Sequence, residues 1–153
     1  MQKLDLSIII PAFNEVQSIP QLYKLITYKL SEKPLSYEVI FIEDGSNDDT
    51  WKEIQKITIS DKKVKAIKFS KNYGKSDALD AGFKESEGDY ILTMDADLQD
   101  DPSEIYELFQ LIKNEKFDLV SGWKKKRNDP IAKTIPSKFF NYVTRVFSGI
   151  KLN

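Results

Sequence analysis

Short β-branched and apolar runs recur along this chain, at Leu6–Ile10, Tyr37–Ile42, Val64–Phe69, Tyr90–Met94 and Asp118–Val120. They read as buried strands. Longer segments of helical period separate them. Ile19, Leu22, Tyr23, Ile26 and Leu30 fall on one helix face, and Trp51, Ile54 and Ile57 mark a second helix. Ala78, Leu79, Ala81, Gly82 and Phe83 mark a third, closely packed helix. Ile105, Leu108, Phe109 and Ile112 mark a fourth, with Pro102 at its start, where proline is tolerated. Strands alternating with helices of this length predict right-handed βαβ units. The expected fold is therefore α/β, a mostly parallel twisted sheet with helices on both faces. The 153 residues correspond to about one domain. No segment approaches the ~20 apolar residues of a membrane span, and the first residues lack the order of a signal peptide. The chain reads as soluble and cytoplasmic.

Open parallel sheets bind ligands outside the carboxyl ends of their strands, so the residues just after each run carry the most information. They are Pro11-Ala-Phe-Asn-Glu15, Glu43-Asp-Gly-Ser-Asn-Asp48, Ser70-Lys-Asn-Tyr-Gly-Lys75, Asp95-Ala-Asp-Leu-Gln-Asp-Asp101 and Ser121-Gly-Trp-Lys124. Nearly every one carries an acid, an amide or a cation. The chain has no Cys and no His, which excludes disulfides, thiolate or imidazole metal sites, a cysteine nucleophile and Ser-His-Asp chemistry. Any reaction must use carboxylates, cations, hydroxyls or an oxygen-bound metal.

Asp95 and Asp97 follow an apolar strand, and residues two apart on an extended chain point the same way. Two like charges so close repel unless a cation lies between them. Mg²⁺ or Mn²⁺ fits that need, since such ions bind carboxylates and substrate phosphates together; Gln99 adds an amide oxygen. Asp100 or Asp101 can instead cap the helix near Pro102, the reading preferred for Asp101. Asp44, also at a strand end, suits a ribose hydroxyl or a base N–H, but Asp44-Gly45-Ser46 is equally good turn chemistry. Asn72-Tyr73-Gly74-Lys75 opens the third helix, where free N–H groups and Lys75 attract phosphate.

Charge is uneven. Residues 124–153 carry eight cations against Asp129 alone, leaving 15 cations and 23 acids in the first 123 residues. The expected division is therefore an acidic body, 1–123, and a basic, aromatic, amphipathic segment of the same domain, 124–153. In that segment Phe139, Phe140, Val143, Val146 and Phe147 form a stripe opposite Lys138 and Arg145. Such a stripe either lies on an anionic bilayer or packs on the core. Nucleic acid is not an expected partner, because the acidic body repels a polyanion.

Taken in order, these segments resemble the family 2 glycosyltransferases of the GT-A fold, above all the dolichol- and undecaprenyl-phosphate sugar transferases. The resemblance rests on Pro11–Glu15, Glu43-Asp-Gly-Ser46 with Asp48 and Thr50, Asn72–Lys75 with Ala78 and Gly82, and Gly88-Asp89. It also rests on Met94-Asp-Ala-Asp-Leu-Gln-Asp-Asp-Pro102, the most specific piece, and on Ser121–Arg127 with Lys133 and Ser137–Asn141. It implies a Rossmann-like GT-A nucleotide-sugar fold, with Pro11, Phe13, Glu15, Asp44, Lys75 and Ala96 around the donor. It further implies Asp95, Asp97 and Gln99 around Mg²⁺ or Mn²⁺, Asp97 and Asp100 in catalysis, and Lys124, Arg127 and Lys138 facing phosphate. Lys124 stands where the family often has arginine. Members of the family normally continue into acceptor-side and membrane segments, so the chain reads as cut before them.

The implied reaction is metal-dependent transfer from a UDP- or GDP-sugar to a polyprenyl phosphate at the cytoplasmic face of the membrane, with inversion. A lipid phosphate is already anionic and needs positioning more than deprotonation. A sugar-hydroxyl acceptor needs a base, for which Asp100 is the nearby candidate. Two alternatives accompany this reading: transfer to a polysaccharide or protein, and a nucleotide-sugar-binding fragment without turnover.

Overall fold

The structure, a computed structural model, describes residues 4–115 and 117–122. The residues through Val120 form one unit. Its elements alternate: β1 (Leu4–Ala12), α1 (Ser18–Leu30), β2 (Tyr37–Glu43), α2 (Thr50–Ser60), β3 (Val64–Lys68), α3 (Lys75–Glu85), β4 (Gly88–Thr93) and α4 (Glu104–Glu115). All strand pairs are parallel, in the order β3-β2-β1-β4.

The central strands are apolar through Ile8–Ile10 and Val39–Ile42, where both their faces are covered. On one face Ile8 and Ile10 of β1 and Val39 and Phe41 of β2 pack with Ile19, Leu22 and Ile26 of α1, Ile54 of α2, and Ile105 and Phe109 of α4. On the other face Ile9, Ile40 and Ile42 pack with Ala78 of α3. The register fixes this division, with Ile8 opposite both Val39 and Leu92 and Ile9 opposite both Ile40 and Thr93. A slip of one residue would exchange the two sets of side chains. Gly82 lets α3 approach the sheet, since a Cβ there would lie 2.5 Å from Cγ2 of Ile9 and 3.0 Å from Cδ1 of Ile42.

The amino ends of the strands are joined by a buried polar network. The Ser7 hydroxyl donates to Glu38 at 2.6 Å, and the Glu87 N–H donates to the same carboxylate oxygen at 2.8 Å. Lys65 stands 3.0 Å from the other oxygen of Glu38, and the Gly88 N–H donates to Ser7 Oγ at 2.9 Å. Burial alone pushes the Glu38 carboxyl up. The Ser7 hydroxyl, the Glu87 N–H and the Lys65 ammonium more than offset that and hold it below the usual glutamate value.

Three features differ from the sequence expectation. Asp118–Val120 joins no strand among the described residues. That run buries little: Leu119 is 83% exposed and Asp118 is exposed, with Val120 partly buried. Second, β4 begins at Gly88 rather than Tyr90, where the absence of a Cβ lets the chain close on the Ser7 backbone. Third, α4 begins at Glu104 rather than at Pro102. Asp101 ends the preceding loop by accepting the Ser103 N–H at 2.9 Å on its side chain and the Glu104 N–H at 3.0 Å on its carbonyl. The basic segment 124–153, with Lys124, Arg127 and Lys138, lies outside the described residues. No described helix is long and apolar enough to cross a membrane.

Two measurements check this packing. Gly82→Val is expected to cost about 1–3 kcal/mol in urea unfolding, because Ile9 must move to admit the new side chain. Glu38 is held low, so its contribution to stability is full above the ordinary glutamate range and is lost as pH falls through its folded value. Glu38→Gln is therefore expected to lower stability by about 1–3 kcal/mol at pH 7. It should also flatten the decline of stability below about pH 4.5, the ordinary glutamate value.

Candidate functional site

The carboxyl ends of all four strands feed one cleft of about 340 Å³. The end of β1 and its loop supply Pro11, Ala12, Phe13 and Glu15; the residue after β2 supplies Asp44. The loop into α3 supplies Asn72, Gly74 and Lys75, and the loop after β4 supplies Asp95, Ala96 and Asp97. Because β4 lies across β1 from β2 and β3, the cleft opens where the strand order reverses. That is the position at which parallel sheets receive ligands.

Side-chain-to-backbone bonds set the walls. Asp44 is only 4% exposed and accepts the Tyr73 N–H at 2.8 Å and the Gly74 N–H at 2.9 Å, one on each carboxylate oxygen. Gly45 beside it has a φ of +68°, and any Cβ there would meet the Lys71 carbonyl carbon at 2.2 Å and the Asn72 nitrogen at 2.4 Å. The Asp-Gly pair thus seats the loop that opens α3. Glu43, 1% exposed, accepts the Ser46 N–H and holds the next stretch.

That stretch in turn pins the loop after β1. The Ser46 hydroxyl accepts the Asn14 N–H at 3.0 Å, and Asn14 Oδ1 accepts the Asn47 N–H at 2.9 Å. The Thr50 hydroxyl accepts the Glu15 N–H at 2.7 Å, and Asp48 accepts the Val16 N–H at 3.3 Å. Burial raises the Asp48 carboxyl, but the Thr50 hydroxyl and N–H and the Val16 N–H bring it below the usual aspartate value. Asn14 itself takes a left-handed conformation, with φ 58°.

The wall after β4 is acidic. Lys75, the first residue of α3, reaches across to form an ion pair with Asp95. The Asp97 carboxylate accepts the Gln99 N–H at 3.0 Å. Leu98 between them has a φ of 64°, a conformation that costs a branched side chain energy and that turns the chain sharply behind Asp97. Asp100 closes the loop by accepting the Asp95 N–H at 3.1 Å.

Among the described residues, four carboxylates, Glu15, Asp44, Asp95 and Asp97, line the cleft against one ammonium, Lys75. No three acids among the described residues form a closed metal cage. Asp95 and Asp97 fit a hard divalent cation in another way: two oxygen donors on an open wall leave room for water and for substrate phosphate.

All six residues expected around a donor line this one cleft, together with Asp95 and Asp97. Gln99 is exposed and is not among the lining residues, and Asp100 turns to the Asp95 backbone instead of the cleft. The phosphate-facing Lys124, Arg127 and Lys138 lie outside the described residues. Sequence reasoning passed over Ala12, Asn72 and Gly74 as lining residues, although Asn72 and Gly74 belong to the segment it singled out for Lys75. Ser46 and Asp48 also read as turn residues and, with Thr50, as pieces of the family resemblance; in the structure their partners in the loop after β1 lie more than 30 residues away.

Comparison with known proteins bears directly on this cleft. The model for glycosyl transferase family 2 matches residues 7–152. The chain is 33% identical, over 100% of its own length and 46% of the relative's, to a dodecaprenyl-phosphate galacturonate synthase of Rhizobium johnstonii. It spans less than half the length of the curated relatives it matches. In structure it is similar to glucosyl-3-phosphoglycerate synthase from Mycobacterium tuberculosis, solved with UDP. The TM-score is 0.69 at 19% identity, over 95% of this chain and 51% of that one. It is also similar to a mannosyltransferase from Pyrobaculum calidifontis, solved with GDP-Man and Mn²⁺. There the TM-score is 0.56 at 20% identity, over 63% of this chain and 28% of that one. Identities this low speak for the fold, which is the GT-A arrangement of parallel sheet and flanking helices. With a family match running from β1 to nearly the last residue, the chain belongs to glycosyl transferase family 2.

Proposed function

We propose that this chain forms the donor-binding part of a transferase that moves a sugar from a UDP- or GDP-sugar to a polyprenyl phosphate. The observation that carries the reading is the charge of the cleft: among the described residues, four carboxylates and one lysine line it at the carboxyl ends of a parallel sheet. A diphosphate does not enter such a wall unless a cation offsets the repulsion. Asp95 and Asp97 would hold Mg²⁺ or Mn²⁺, and the bound ion would neutralise charge on the diphosphate that leaves. The Mn²⁺ bound by the Pyrobaculum enzyme and the polyprenyl-phosphate product named for the Rhizobium relative support the same reading.

The chain's own residues then divide the work. Pro11, Phe13 and Ala96 give the nucleoside an apolar bed, with Phe13 offering a 41% exposed ring at the mouth. Asp44 fixes the 72–75 loop and keeps carboxylate lone pairs for a ribose or base donor. Glu15, bonded to the Ser18 hydroxyl at the start of α1, completes that side. Asp97 acts through charge, and Asp100 holds the Asp95–Asp97 loop in shape. An acceptor phosphate attacks the anomeric carbon as an oxyanion, so no proton need be removed and the lack of His costs nothing. In-line attack opposite the leaving diphosphate inverts that carbon. Lys124, Arg127 and Lys138 would face phosphate, and the basic segment 124–153 would bring the chain to an anionic membrane face.

Two experiments test this. Incubation of the chain with polyprenyl phosphate in mixed micelles, Mn²⁺ and labelled UDP- or GDP-sugars is expected to label the lipid. Asp97→Ala should lower the rate by about 100-fold or more. Product on a polysaccharide or protein with the lipid left unlabelled would contradict the reading. Asp44→Asn replaces an acceptor oxygen with an NH₂ group facing a backbone N–H. It is expected to cost about 1–3 kcal/mol of stability and to weaken nucleotide binding by about tenfold or more, read by calorimetric titration at a temperature where the variant remains folded.

A further inference from the structure

We propose that Lys75 is the built-in counter-ion of the cleft: it competes with a divalent cation for Asp95 and passes to the donor phosphates when that cation binds. The inference rests on reading the cleft as a metal and diphosphate site, and it assigns to Lys75 a coupling role beyond phosphate attraction. Three observations carry it. The Lys75 ammonium is paired with Asp95 Oδ1, so a cation that takes that oxygen competes with it directly. Lys75 occupies the first position of α3, where the helix dipole disfavours a positive charge; its placement serves the cleft and not the helix. The backbone just before it is anchored by Asp44 through the Tyr73 and Gly74 N–H groups, so the side chain pivots on a fixed Cα.

The pair is also built to exchange. Lys75 is 59% and Asp95 43% exposed in their side chains, so water solvates both ions during the swap. Exposed pairs of this kind are weak, on the order of a two- to fivefold effect on a competing equilibrium. Once Asp95 and Asp97 share a divalent cation, Lys75 faces a like charge and is driven toward any anion beside it. A diphosphate in the cleft is that anion. Metal binding alone then forfeits the ion pair, whereas metal binding with a nucleoside diphosphate exchanges one partner for another. Each ligand therefore raises the affinity of the other by the same factor, and part of that factor passes through Lys75.

The test is a Mn²⁺ titration of the 153-residue chain followed by the electron paramagnetic resonance signal of free Mn²⁺, first alone and then with UDP or GDP. Lys75→Met is expected to bind Mn²⁺ about two- to fivefold more tightly than the wild type when no nucleotide is present. The further tightening produced by the nucleotide should shrink by a similar factor. Lys75→Arg, which keeps the charge, should show no such gain, and Lys75→Gln serves as a second neutral variant should the methionine one fail to fold. A folded neutral variant that binds Mn²⁺ no more tightly than wild type overturns the proposal, as does an unchanged coupling to nucleotide or an absence of Mn²⁺ binding in every form. If the neutral variant gains Mn²⁺ affinity but no form binds UDP or GDP, the donor reading falls and takes the handover with it, while the competition for Asp95 stands.

Discussion

A single buried carboxylate does most to assemble this cleft. Asp44 lies one residue past the end of β2 and takes both the Tyr73 and the Gly74 N–H, which ties the second strand to the loop that opens α3. Gly45 makes the tie possible, because the loop backbone occupies the space where any Cβ would stand. With the loop seated, Lys75 starts from a fixed point and meets Asp95 across the cleft. Without it, the loop that opens α3 would lose its side-chain anchor to the end of β2. Buried ionised carboxylates are costly unless hydrogen-bonded, and here that cost enforces a particular loop conformation.

The sheet itself accounts for why charge gathers where it does. Its central strands are apolar through Ile8–Ile10 and Val39–Ile42 because α1, α2 and α4 cover one face and α3 the other. Polar groups are therefore displaced to the two ends. At the amino ends they satisfy one another, as in the set of Ser7, Glu38, Lys65 and Glu87. At the carboxyl ends acids outnumber cations among the described residues of the cleft wall. The first set is closed and stabilises the fold; the second has an excess of negative charge that a divalent cation would reduce, easing the approach of an anionic ligand.

Much of this was legible in the sequence, for identifiable reasons. All four helices and four of the five expected strands follow from hydrophobic period and from continuous apolar runs, because both-face burial leaves a strong imprint. The run at Asp118–Val120 misled: three residues with an 83% exposed Leu119 carry too little burial to define a strand. The ends-of-strands rule found Pro11, Phe13, Glu15, Asp44, Lys75 and Asp95 through Asp97 without any geometry. Gln99 and Asp100 do not line the cleft, and their directions depend on the left-handed turn at Leu98, a position where no glycine or asparagine signals such a turn. The bonds from Ser46, Asp48 and Thr50 to the loop after β1 were equally invisible, since turn-forming residues look alike whether they serve their own turn or another one.

The central claim is that the acidic cleft admits a nucleoside diphosphate only together with a divalent cation. Isothermal titration of UDP-sugar and GDP-sugar into the chain, once with Mn²⁺ and once with excess EDTA, tests it most directly. The account predicts binding of one of the two donors with Mn²⁺ and at least a tenfold weakening, roughly 1.4 kcal/mol, on chelation. Equal affinity with and without the metal would contradict it.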